Sequence, residues 1–193
     1  MDLVCANKVR TGTMISAHYI AFGISGMLLF SMAERYGRRF SVLINYLVYT
    51  AAGYLIVFDA SFWARLCGFT LYGLAQMKGS LTYVWLAELV PAAYRNTCTV
   101  CITCFDASTM AVVGLYFLAI SKDWFPLMLF VVILSTISLI LAWVFIPETP
   151  SWFISQGRVS DAIKALNQIA WINGSMKRIP TNAVFEESQM MAE

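Results

Sequence analysis

Apolar positions along this chain come in blocks of about 20 residues, separated by clumps of charge at Glu34–Arg39 and Glu88–Arg95 and by a polar region beyond Glu148. A helix needs about 20 apolar residues to cross the ~30 Å hydrocarbon core of a bilayer, so such blocks read as membrane spans. Five are predicted, over Thr13–Ala33, Ser41–Phe58, Phe62–Leu89, Thr97–Ile120 and Phe125–Ile146. The first carries Ala17, Ala21 and Ser25 at four-residue spacing, with Gly23 and Gly26 beside them, and small residues so spaced let helices approach closely. The turn 34–39 then makes a tight helical hairpin with the second span, which has Ala51, Ala52 and Gly53 at its middle. Asp59, Ala60 and Ser61 break the pattern. The third span is longer than a crossing requires and holds Arg65, Lys78 and Glu88, which predicts tilt or an extension into water. Asp106 interrupts the fourth, Lys122 and Asp123 mark the next turn, and the fifth is almost wholly aliphatic and aromatic, as expected of a lipid-facing helix.

After Pro150 the pattern changes. Ser160 followed by Asp161 reads as an N-cap with a first-turn acid, Ala162, Ile163, Leu166, Ile169 and Ala170 recur at helical spacing, and Gly174 is placed to stop the helix. The tail from Ser175 to Glu193 is polar with little periodicity, and disorder or docking to a partner are both open. The expected organisation is therefore an aqueous N-terminal segment (1–12), a transmembrane bundle (13–147), an amphipathic helix region (148–174) and a polar tail (175–193). The fold class is all-α, a polytopic membrane bundle of about five transmembrane helices plus a C-terminal amphipathic helix.

Composition agrees. The chain is 60% hydrophobic and 12% charged, about half the charge of a soluble domain, with a mean hydropathy of +0.70. A net charge of +2 with its cations confined to loops gives no footprint for nucleic acid. Cytoplasmic loops are enriched in Lys and Arg. Arg35, Arg38, Arg39, Arg95, Arg158, Lys164, Lys177 and Arg178 fall on one side of a five-span arrangement, and Lys8, Arg10 and Lys122 on the other. The basic side is thus expected to be cytoplasm-equivalent, with the N-terminus opposite. The apolar block after Lys8 and Arg10 lacks a cleavage site, so no removable signal peptide is expected.

Cys98, Cys101 and Cys104 recur every third residue, near one helical face. No histidine or carboxylate except Asp106 accompanies them, so packing is favoured over a metal site, and neither metal nor cofactor is expected. No nucleophile–base pair, phosphate loop or zinc motif is present, and an enzyme is not expected. Ionisable residues inside a membrane are costly and mark candidate sites. Gln76 and Lys78 in the third span and Asp106 in the fourth are the candidate contacts for a small organic ion. The alternative is that Lys78 and Asp106 neutralise each other or reach water. Arg65, near a span end, can snorkel to the headgroups. His18, the only histidine, serves either polar packing or proton coupling.

Three segments carry a family resemblance. Ser31-Met-Ala-Glu34-Arg35-Tyr-Gly37-Arg38-Arg39 resembles the G-x-L-x-D-R-x-G-R-R signature of the major facilitator superfamily, with Ser31 in place of its first glycine and Glu34 in place of its aspartate. Ala87-Glu88-Leu-Val-Pro91 with Arg95 is similar to A-E-L-V-P-x-x-x-R at the end of the family's fourth helix. Pro147-Glu148-Thr-Pro-Ser-Trp-Phe-Ile-Ser-Gln-Gly-Arg158 resembles the P-E-S-P-R-W-L-L-S-Q-G-R of its organic cation and anion transporter branch. Asp2-Leu-Val-Cys5 resembles the D-L-V-C before that branch's second helix.

By this resemblance the five spans match family helices two to six, so that helix one, its outer loop and the second six-helix half find no counterpart. The resemblance implies that Glu34 helps lock the two halves together on the cytoplasmic side. It also implies that the arginines engage acids and helix ends, with Glu88 and Glu148 as candidate partners for Arg35, Arg38, Arg39 and Arg95. One departure is Phe69, which stands four residues before Gly73, where the family usually has an arginine. Two functions follow as expectations. One is an organic-ion carrier, not transport-competent as this half alone; the other is a non-catalytic accessory subunit of a larger membrane complex, with the Ala17, Ala21 and Ser25 stripe exposed for a partner. The expected partners are the bilayer, other membrane chains covering the unmatched half, and a small organic ion. The expected location is the plasma membrane for a carrier and an organellar inner membrane for a subunit.

Overall fold

The computed structural model describes residues 8–58, 61–175 and 178–180. Eight α-helices make up the described part: α1 (Lys8–Tyr36), α2 (Arg38–Phe58), α3 (Phe62–Ala75), α4 (Lys78–Leu89), α5 (Ala92–Leu115), α6 (Trp124–Phe145), α7 (Pro150–Ser155) and α8 (Val159–Ile172). The Asp2–Cys5 resemblance, the break at Asp59 and Ala60, Lys177 and the tail from 181 lie outside the described residues. Four helices are long and apolar enough to cross a membrane: α1, α2, α6, and α5 with the π-helical turn Tyr116–Ile120 that extends it.

The expected third span is two helices, α3 and α4, broken at Gln76 and Met77. Both break residues keep right-handed helical dihedrals, but Gln76 N–H donates to Gly73 O, three residues back, before the regular ladder resumes at Leu81. Tightening of this kind bends a helix without ending its path. From Phe62 to Leu89 the pair covers roughly 40 Å at the helical rise of 1.5 Å per residue, enough to cross a bilayer.

The core forms where α1, α2, α3 and α4 meet, with α6 packed on the far side of α2. On α1 the buried positions are Met14, Ala21, Ser25, Leu29 and Ala33. Ala21 and Ser25 therefore face inward and are not an open stripe, a correction to the expected exposure of that surface. The reason is close packing against α3: a methyl group built on Gly73 would run into the backbone carbonyl of His18. Elsewhere Gly53 of α2 admits Val132 of α6, and Gly68 of α3 admits Ile56 of α2. Leu29, Ala33, Val42, Leu81 and Trp85 form the apolar cluster at the basic end. In contrast α5 buries no residue at all, and α6 only Val132 and Ser135, so both helices present most of their surface to lipid or to other chains.

Helices α7 and α8 pack on each other, and α7 also touches α4. Each ends in a Schellman motif on a left-handed glycine. Arg158 N–H reaches Phe153 O past Gly157 (φ +70°), and Ser175 N–H reaches Ala170 O past Gly174 (φ +69°). Gly174 thus stops the helix as expected. Ser160 does not cap it, because α8 starts two residues earlier than a Ser160 cap requires, with Arg158 at the N-cap position and no side-chain cap. After α8 the chain doubles back, and Asn167 clasps Ile179 through both its amide groups, at 3.0 and 2.8 Å.

Asp161 accepts from Arg158 Nη2 at 2.7 Å and from Lys164 Nζ at 2.9 Å. The Lys164 hydrogen bond, then that of Arg158, holds its carboxyl below the usual carboxylate range. A carboxyl depressed on folding adds stability above its unfolded pKa and loses it as pH falls through the lowered folded value. Exposure keeps the effect small. Thermal unfolding of the wild type should therefore lose a small increment below about pH 4, the ordinary aspartate value. Asp161→Asn should lack that increment already at neutral pH and show a flatter acid limb.

Candidate functional site

A helix leaves its first four N–H and last four C=O groups without intrahelical partners, and at a membrane boundary these must be met by side chains, headgroups or water. At the basic end of this bundle several such ends converge and the motif side chains serve them. Gly37 alone joins α1 to α2, at φ +103°, and a Cβ there would collide with the Glu148 carboxylate. That carboxylate accepts the Arg39 N–H in the first turn of α2 at 3.0 and 3.1 Å, and the Thr149 N–H ahead of α7 at 3.1 Å. A negative charge beside two helix N-termini is where the macrodipole favours it.

The cations do the converse. Arg39 Nη2 donates to Trp143 O, in the last turn of α6, at 2.5 Å, and Arg95 Nε donates to Ala87 O near the end of α4 at 2.9 Å. Trp152 of α7 donates its indole N–H to Glu34 O in the last turn of α1 at 3.0 Å. Only Arg38 makes the expected ion pair, Nε to Glu88 Oε1 at 3.2 Å, while Ser151 donates to the other Glu88 oxygen at 3.1 Å. Thus Arg39 and Arg95 serve helix ends rather than carboxylates. Arg35 and the Glu34 side chain border an open hollow of about 540 Å³ on α1 and take no hydrogen bond or ion pair among the described residues.

The polar residues expected inside the spans separate into two groups. Lys78, at the start of α4, places its ammonium 3.3 Å from the centre of the Tyr49 ring and 5.8 Å from that of Tyr46, both on α2. Tyr49 and Tyr72 of α3 share a short hydroxyl–hydroxyl bond, and the His18 ring lies 6.1 Å from that of Tyr72. His18 Nδ1 is 3.2 Å from Phe69 O, so its polarity ties α1 to α3. Asp106, exposed on α5, accepts from Tyr83 of α4 at 2.6 Å. Lys78 and Asp106 make no ion pair. Gln76 stays exposed at the α3–α4 break, outside the cluster. Arg65 stacks its guanidinium over Trp124, 5.6 Å from the ring centre. Cys101 and Cys104 are exposed thiols on α5, Cys98 is partly covered, and no metal-holding group occurs among the described residues.

The tyrosines, Trp152 and Ser151 are participants that the pattern of apolar and charged positions does not single out. Ser151 and Trp152 both lie within the Pro147–Arg158 segment, and that was the available signal.

The family model described as "Sugar (and other) transporter" matches residues 4–193. Rat solute carrier family 22 member 2 is 28% identical over 183 residues, covering 94% of this chain and 32% of the relative. Its human counterpart is 30% identical over 182 residues, with the same coverage of each. Mouse organic cation/carnitine transporter 2 is 28% identical over 193 residues, covering 98% of this chain and 33% of the relative. The chain spans about a third of the length of these curated relatives.

Proposed function

We propose, from the premise that this chain belongs to the sugar (and other) transporter family, that it forms part of a membrane carrier of organic cations. It is an integral, multi-pass membrane protein with transporter character. The observation carrying the substrate class is the Lys78 ammonium lying on the face of Tyr49 beside Tyr46. Aromatic faces that hold an ammonium from the chain itself offer the same electrostatics to a quaternary ammonium ligand. Asp106, exposed on α5, supplies the opposite charge. Gln76 stands exposed at the bend, outside the cluster. One relative's name, organic cation/carnitine transporter 2, points to the same class.

Alternating access rocks one bundle against another about a site at their interface. With α5 burying nothing and Asp106 exposed on it, transport in this reading requires a facing bundle. In this reading the capped helix ends around Glu88 and Glu148 form the rigid cytoplasmic-side base, and Glu34, Arg35 and Gly37 present its outer edge to that bundle. A second reading rests on the same bare α5: the chain is a structural subunit whose exposed helices are covered by other membrane proteins. Purification in mild detergent as a monodisperse free chain would count against it.

Binding of radiolabelled tetraethylammonium to the chain in lipid nanodiscs tests the substrate class. Asp106→Asn should weaken binding about tenfold, the worth of roughly 1.4 kcal/mol of lost charge pairing. Lys78→Met removes a competing cation from the Tyr49 face and should leave binding unchanged or tighter. If instead Lys78→Met abolishes binding of an aromatic carboxylate while tetraethylammonium never binds, the site is for anions and the cation reading fails.

A further inference from the structure

An apolar groove of about 720 Å³ opens on the outer side of α2 at the basic end. Its floor is Phe40, Leu43, Ile44 and Leu47, spaced at i, i+3, i+4 and i+7 along one face of α2, and Trp143 and Phe153 stand at its sides. Phe40, Leu47 and Trp143 remain 48%, 57% and 63% exposed. Arg39 lies at its head. The guanidinium has one hydrogen bond, to Trp143 O, while its Nε is buried without a partner and no carboxylate pairs with it among the described residues. Glu148 also borders the groove, but its oxygens already accept the Arg39 and Thr149 backbone N–H groups.

We infer that this groove is a binding site for one anionic phospholipid, with an acyl chain along α2 and the phosphate on Arg39. Three features converge on that occupant. The groove runs along α2, a helix long and apolar enough to cross a membrane, so lipid is the solvent expected to fill it. Its apolar length lies along a membrane span and not across it. The group at its head is a guanidinium with no carboxylate partner among the described residues, whose planar fork suits phosphate oxygens, and basic pockets between spans on the cytoplasmic side recognise anionic headgroups in this way. A zwitterionic lipid fits the same groove but brings its own cation to the Arg39 position.

Native mass spectrometry of the purified chain decides the matter, after incubation with an equimolar mixture of phosphatidylglycerol and phosphatidylcholine of matched acyl chains. The wild type should retain one phosphatidylglycerol with a preference of about fivefold or more, the scale of one charge-assisted phosphate contact. Arg39→Gln should erase the preference, Arg39→Lys should keep part of it, and Arg35→Gln, a cation of the same end outside the groove, should leave it intact. Leu47→Trp, filling the groove, should reduce retention of both lipids. Equal retention of the two lipids by the wild type overturns the inference without reference to any variant. So does an equal loss in Arg35→Gln, which would mean a diffuse basic field, or displacement of the lipid by millimolar inorganic phosphate, which would mean that the acyl groove contributes nothing.

Discussion

Glu148→Ala is expected to lower the unfolding free energy by about 2–4 kcal/mol, since hydrogen bonds to a charged group contribute roughly 1.5–3 kcal/mol each and their loss here strands backbone N–H groups. For a chain of this size that corresponds to a fall of about 5–15 °C in the unfolding midpoint, measurable in detergent by the thermal transition of intrinsic fluorescence. The effect is large because one carboxylate serves two helix starts far apart in sequence, Arg39 N–H on α2, 109 residues before it, and Thr149 N–H ahead of α7, next to it. Neither N–H has an intrahelical acceptor, and α2 enters the membrane from that turn. Glu148→Gln keeps an acceptor oxygen but loses the charge that the helix dipoles favour, so it should cost about half as much. An unchanged midpoint in the alanine variant would mean that headgroups or water cap these ends equally well.

The same carboxylate shows what a sequence discloses and what it withholds. Glu148 is conspicuous in the pattern because it is charged at the edge of an apolar block, and so are Glu88 and the arginines near Gly37. Which of them meet is a tertiary matter. Arg38 and Glu88 are 50 residues apart, and the equally charged Arg39 and Arg95 turn to carbonyls instead. Unsatisfied backbone groups at helix ends compete with carboxylates for guanidinium donors, and the outcome depends on which ends converge.

The spans themselves were legible, since an apolar block of fixed length has one use in a bilayer. The bend at Gln76 and Met77 was not, because its residues keep helical dihedrals and only the hydrogen-bond ladder shifts. Lys78 was visible as an intramembrane charge, but its aromatic setting was hidden, as Tyr46, Tyr49 and Tyr72 look like ordinary apolar positions until α2, α3 and α4 are brought together. His18 was read as open between two roles, and its ring nitrogen beside Phe69 O together with its backbone against Gly73 places it in the α1–α3 contact.

That contact yields the second large effect, with opposite signs at two glycines. Gly73 and Gly79 lie six residues apart on the bent α3–α4 path, and replacing an interior helix glycine by alanine gains up to about 1 kcal/mol in helix propensity. At Gly79 nothing lies within 4 Å of the added methyl, so Gly79→Ala should stabilise by a few tenths to about 1 kcal/mol. At Gly73 the added atom meets the His18 backbone carbonyl, which cannot swing aside as a side-chain tip can. Helices α1 and α3 must then separate along their whole seam, the most extensive in the bundle. Overpacking typically costs 1–3 kcal/mol, so Gly73→Ala should be destabilising by about 1–2 kcal/mol even after its propensity gain, and Gly73→Val by about 3 kcal/mol or more. Separation would also draw Tyr72 and His18 apart, so Gly73→Val should weaken tetraethylammonium binding in nanodiscs along with stability, whereas Gly79→Ala should leave binding alone. Should Gly73→Ala prove as stabilising as Gly79→Ala, α1 and α3 are not in backbone contact, and the packing that places Lys78 among the tyrosines would have to be redrawn.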